Sequence, residues 1–171
     1  DVVRSSFIPQ DTAEKLEALG DVVWNDSNRQ WTPDEVRDRL AGVDVCVTGW
    51  GTCTFDETVL AHADRLKLVA HTGGSVAGIV SEAFFEKGIR IVSGNWLYAE
   101  SVAEGTIAYI LAALRNIPYY NNLVHAGGWR DADSPNEGLL DQTVGLVEFG
   151  MVAKNLAILL RPFRVKLKVF S

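Results

Sequence analysis

The sequence predicts an α/β protein with parallel sheets. Short β-branched runs, "VDVCVTG", "LKLVAHTGG" and "IRIVSGN", alternate with stretches of helical spacing over residues 1–97. A long segment with no strand follows at 98–128, and then a strand, an apolar helix and a strand close the chain. Parallel strands need crossover connections and are buried on both faces, which gives their near-continuous apolar character. Residues 1–97 therefore read as one α/β layer sandwich lacking its first strand, and 98–171 as a helical pair with the start of a second domain.

The elements are justified in order by their end signals. "DTAEKLEALG" has helical spacing, with Asp11 as N-cap and Gly20 as stop, and "DVVWN" reads as a short strand. In "WTPDEVRDRL", Thr32 caps, Pro33 fits the first turn, and Glu35 completes a capping box. Thr54 and Glu57 open a helix over "FDETVLAHA", and Ser81 opens "EAFFEKG". "YAESVAEGTIAYILAALRNIPYYNNLVHAGGW" then holds about 17 helical residues, a stop near Pro118, and a second helix ending at Gly127 and Gly128. A polar loop at 130–142 leads to "TVGLV", "MVAKNLAILL" and "VKLKVF", a βαβ unit.

Composition bounds the function. The chain has 171 residues, a formal net charge of -6 and 47% apolar residues, enough for a sizeable core. Excess acid argues against nucleic acid, whose binders carry basic patches. The basic run from Arg161 to Lys168 alternates with Phe163, Val165 and Leu167, as a strand with polar flanks does. Two cysteines, Cys46 and Cys53, cannot build a disulfide framework or a zinc quartet, and they suit a reducing cytoplasm. No uninterrupted run reaches the roughly 18 apolar residues of a membrane span, so no membrane contact is expected. The chain starts at Asp1 without Met and stops on a strand, and both ends read as cut. The histidines are isolated, so no metal site is expected.

"EFGMVA" at 148–153 lies between a strand and a helix, where a dinucleotide fingerprint G-x-G-x-x-G/A would fall. Gly150 and Ala153 meet its second and third positions, while Glu148 replaces the first glycine. A plain βαβ turn with one glycine explains the same letters. The two readings stand side by side on the motif alone.

The stretch from "LKLVAHTGGSVAGIV" through "AESVAEGT" at 99–106 to "GGW" at 127–129 resembles the D-isomer-specific 2-hydroxyacid dehydrogenases in both words and order. The resemblance implies a flavodoxin-like substrate domain, interdomain helices and a partial Rossmann domain, with hydride transfer between NAD or NADP and a 2-hydroxy or 2-oxo acid. It places the substrate carboxylate on Gly73, Gly74, Ser75 and Val76, whose backbone amides suit an anion because they are already fixed in place. It places the cofactor on Gly74, Thr106, Phe149, Gly150, Met151, Val152, Ala153 and Ser171, with the pyrophosphate at a helix N-terminus. Ala77 replaces a frequent aspartate of the loop. Ser171 stands where an acidic residue usually holds the ribose, which leaves NAD and NADP open.

The resemblance further implies a catalytic arginine, glutamate and histidine beyond Ser171, so the 171-residue chain reads as an inactive fragment. His62 and His125 read as structural or solvated, and His71, beside the glycine loop, is not a replacement base. The resemblance also implies a homodimer through helices at 99–127. A non-catalytic dinucleotide-responsive or dimerisation module is the alternative. Glu148 near a phosphate would cost about 4 kcal/mol at an effective dielectric near 20, so weak or absent cofactor binding is expected. Either the loop is displaced, or the carboxylate rests on the helix amides in place of phosphate.

Overall fold

The computed structural model describes residue 4 and residues 8–129 and 136–171. The chain divides into two compact units, Asp1–Gly94 and Asn95–Ser171. Each has its own core.

The first unit opens with α1 (Gln10–Glu17) and α2 (Pro33–Arg39). Both halves of the capping box form on α2: the Glu35 amide donates to Thr32 Oγ1 and the Thr32 amide donates to the Glu35 carboxylate. Arg29 grips the same carboxylate in a fork at 2.7 and 2.8 Å. Three parallel strands follow, β1 (Val45–Thr48), β2 (Leu68–His71) and β3 (Arg90–Ser93), in the order β1-β2-β3. Between β2 and β3 lies the short α3 (Glu82–Glu86), where Ser81 Oγ accepts from the Phe84 amide at 3.2 Å and donates to the Phe55 carbonyl. Phe84 meets Phe55 edge to face, ring centres 6.2 Å apart, over Val59, Leu60 and Val69 in a core sealed from water. The register sets Thr48, His71 and Ser93 side by side, so all three strands end on one line. A loop leaving β2 is thereby held at the carboxyl edge of the sheet.

The second unit carries α4 (Asn95–Leu114), α5 (Ile117–His125), β4 (Thr143–Val147), α6 (Met151–Leu159) and β5 (Lys166–Phe170). Strands β4 and β5 pair in parallel. Ala103, Ile107, Ile110, Leu111 and Leu114 recur at helical spacing on α4 and pack with Leu139, Leu146, Leu156 and Leu160. That repeat explains why so apolar a helix is amphipathic in use. Helix α4 has the length and mean hydropathy of a membrane span, yet Glu100 and Glu104 interrupt it.

Several expectations are corrected. "DVVWN" is not a strand: no ladder partner reaches it among the described residues, and Val23 is 70% exposed. The helix expected over "FDETVLAHA" shrinks to a single 3-10 turn, Val59–His62. Thr54 does not cap it, since its hydroxyl donates to the Gly78 carbonyl; Asp56 accepts from the Val59 amide instead. The N-cap of α1 is Pro9, and Asp11 falls in its first turn. Pro118 does not stop a helix but sits in the first turn of α5, after Asn116 has turned the chain at φ 50°. Proline lacks an N–H that this turn would leave unpaired anyway. In the basic run only Lys166 onward is strand, because Arg161–Phe163 form a 3-10 turn. Arg164 then closes the turn at φ 55° by forking onto Asp141, itself at φ 61°. Residues 130–135 of the expected polar loop, and residues 1–3 and 5–7, lie outside the described residues.

Candidate substrate and nucleotide sites

The glycine loop leaves β2 at the carboxyl edge of the first sheet. Thr72 anchors it, its amide and its hydroxyl both donating to the Thr48 carbonyl at 2.8 and 3.0 Å. Gly94 closes the other side, its amide reaching the carbonyls of His71 and Gly73. At the far end the Val76 carbonyl accepts from Ile79 and Val80, and Ser75 Oγ accepts from Ala77. Between these ties the amides of Gly73, Gly74, Ser75 and Val76 meet no acceptor among the described residues. Gly73 is buried, Gly74 and Val76 half-buried, and Ser75 exposed. A row of adjacent, unsatisfied amides on a fixed loop is the chemistry of an anion site.

Gly73 has a second role that only packing reveals. A Cβ added there would lie 2.5 Å from His71 Nε2 and 2.9 Å from Trp50 Nε1. His71 is 5% exposed, and its Nδ1 lies 3.0 Å from the hydroxyl of buried Thr48. Burial pushes the His71 pKa down from its ordinary value, which keeps the ring neutral at physiological pH. Thr48 and Trp50 escape sequence reasoning. Their one available signal is that they flank the end of a strand neighbouring β2.

In the second unit, Glu148 follows β4 at φ 68°. This is the left-handed region that glycine enters freely and that costs other residues about 1–2 kcal/mol. The loop is therefore not displaced: Glu148 keeps the glycine conformation, and its amide donates to the Phe170 carbonyl at 2.8 Å. Nor does the carboxylate rest on the helix. It is exposed and bonds to no other described residue. Both expected alternatives fail, because the β4–β5 ladder continues through the Glu148 amide and fixes the turn whatever side chain it carries.

Gly150 caps α6 without a side chain, and the amides of Met151, Val152 and Ala153 meet no acceptor among the described residues. A Cβ at Gly150 would meet nothing within 4 Å, so the space before this helix is open. Free amides and the positive end of the helix dipole there fit a pyrophosphate. Phe149 is partly exposed beside them, and Ser171 follows the last residue of β5, Phe170, which pairs with Val147 of β4. These residues form one group. Thr106 lies on α4, where its hydroxyl donates to the Val102 carbonyl at 2.8 Å. Gly74 belongs to the other unit. No group of His, Cys, Asp and Glu suited to a metal occurs among the described residues.

Fold and sites together define a protein of parallel α/β architecture with a Rossmann-type βαβ unit at its carboxyl end. Residues 107–171 match the NAD binding domain of the D-isomer specific 2-hydroxyacid dehydrogenases. Over that segment the chain is similar to that family. D-3-phosphoglycerate dehydrogenase of Methanocaldococcus jannaschii is 30% identical over 145 residues, covering 85% of this chain and 27% of that protein. A crystal structure from Pyrococcus horikoshii OT3 superposes with a TM-score of 0.80 at 26% identity, over 96% of this chain and 50% of the other. D-lactate dehydrogenase of Aquifex aeolicus, solved with NAD and lactic acid, superposes at 0.78 with 20% identity, over 96% and 49%, and shows the fold alone. The chain thus spans about a quarter of the first relative and about half of the solved structures.

Proposed function

We propose that the chain is part of a D-2-hydroxyacid dehydrogenase-like oxidoreductase, one that moves a hydride between NAD or NADP and a 2-hydroxy or 2-oxo acid. The observation that supports this most is the N-terminus of α6, which no side chain caps and which faces open space at Gly150, within the segment matched to an NAD-binding domain. When bound, a nicotinamide cofactor supplies or accepts the hydride. The protein residues bind and orient: the amides of Met151, Val152 and Ala153 hold phosphate, Phe149 flanks them, and Ser171 faces the ribose with NAD and NADP equally open. In the first unit, Gly73, Gly74, Ser75 and Val76 hold the acid's carboxylate. Among the described residues none is assigned to the proton chemistry, and the 171-residue chain is read as inactive by itself. Two free thiols suit a reducing compartment such as the cytoplasm.

Glu148 weakens the nucleotide site without closing it. Because its carboxylate is exposed, water screens it, and the penalty near a phosphate drops to about 1 kcal/mol, roughly fivefold in affinity. Titration of NADH fluorescence into the 171-residue chain measures this directly. The expected outcome is weak binding that Glu148→Gly improves by about fivefold. Unchanged affinity would overturn the role given to Glu148. Turnover of pyruvate, read as absorbance change with NADH, would overturn the reading of the chain as inactive by itself.

One observation favours a second reading, an assembly module without catalysis. Val102 and Tyr109 on α4, with Val124 on α5, are exposed apolar side chains on helices that a second copy could cover. The two readings share the homodimer and differ in nucleotide affinity.

A further inference from the structure

The strongest unassigned feature is the buried pair behind the glycine loop. His71 is tied at Nδ1 to the Thr48 hydroxyl, and no other hydrogen bond engages its ring among the described residues. Yet no buried side-chain nitrogen or oxygen among them lacks a partner, so Nε2 is not sealed in the protein. It opens beside Gly73, whose missing side chain leaves room for it: a Cβ there would stand 2.5 Å from Nε2. The loop that presents free amides to an anion thus also presents one imidazole nitrogen.

We propose that His71 is a binding residue of this loop: Thr48 donates its hydroxyl proton to Nδ1, fixing the tautomer that carries hydrogen on Nε2, and Nε2–H donates to the carboxylate of a 2-oxo acid seated on the amides. This rests on the reading of Gly73–Val76 as the carboxylate site. Thr48 is the positioning residue, acting only through His71. A neutral imidazole has one donor and one acceptor nitrogen, and a hydroxyl bond at one decides the role of the other. The Thr48 hydroxyl is free to serve, because the bonds from Thr72 fall on the Thr48 carbonyl instead. Burial opposes protonation, so the ring donates at Nε2 without becoming a cation. Glycine at 73 is then needed twice, for the approach of the anion and for that of the ring.

The test is long-range proton–nitrogen NMR of the full chain, with pyruvate as the probe. The expected spectrum has His71 protonated at Nε2 in the free protein, with Nε2 and the Gly74 and Ser75 amides shifting together as pyruvate is added. Thr48→Val, which keeps the shape and removes the hydroxyl, should mix the tautomers and weaken pyruvate by about threefold to tenfold, and Thr48→Ser should restore both. His71→Phe should weaken pyruvate by about tenfold. An Nδ1-protonated ring in the wild-type protein overturns the proposal without any variant. Loop amides that shift while Nε2 stays still, with His71→Phe binding as tightly as wild type, overturn it and leave the carboxylate site standing. Loop amides that do not respond at all overturn both.

Discussion

Glu148 and Gly73 show opposite ways in which one residue bears on a site. Glu148 occupies a glycine conformation, at φ 68°, with nothing holding its side chain. Replacing it with glycine should therefore raise stability by about 1 kcal/mol as well as improving nucleotide binding, read from the urea midpoint. Gly73 has no unusual φ, and its constraint is space. Gly73→Ala forces a methyl against His71 and Trp50 and should cost about 1–3 kcal/mol in the same measurement. His71 adds a pH dependence. Its pKa is lower folded than unfolded, so the unfolded chain takes up the proton first. The stability it confers is complete above the unfolded value of 6.5 and is lost as pH falls through that value toward the folded one. Urea midpoints measured from neutral pH down to about pH 5 should show this decline, and His71→Gln should flatten it.

At the scale of elements, the best-marked helix is also the best held. Thr32, Pro33 and Glu35 are legible as a start signal because each answers a local need of the first turn, and every predicted bond forms. The Arg29 fork and the Thr32 amide hold the Glu35 carboxyl down at about 2. The α2 cap should consequently persist in acid until pH falls through the range between the ordinary 4.5 and that value. Thr32→Ala should cost about 1 kcal/mol by urea unfolding, because it leaves an amide of the first turn unpaired. Where signals misled, a non-local partner had claimed the residue. Thr54 looked like a cap, but Gly78 takes its hydroxyl; "DVVWN" looked like a strand, but a strand exists only where another chain segment accepts its ladder.

At the scale of the whole molecule, each unit closes its own core, and the apolar surface left over on α4 and α5 concentrates the question of partners. If these helices mediate self-association, sedimentation equilibrium should give a dimer, and Tyr109→Glu, placing a charge at a side chain 77% exposed, should return monomer with the fold intact by circular dichroism. A monomeric wild-type chain would remove the dimer from both functional readings.

The sequence by itself determined the five strands β1 to β5, the parallel sheets, the α2 cap and the βαβ unit around Gly150, because periodicity, end signals and chain reversal are local properties. It also exposed Glu148 as the odd letter of its motif. Only the tertiary structure decided what that letter does: the bond from its amide to Phe170 holds the turn, and the carboxylate stays in water. The tertiary structure likewise brought Thr48 and His71, 23 residues apart, to 3.0 Å behind the glycine loop. Strand register sets that contact, and register depends on how separate segments pack.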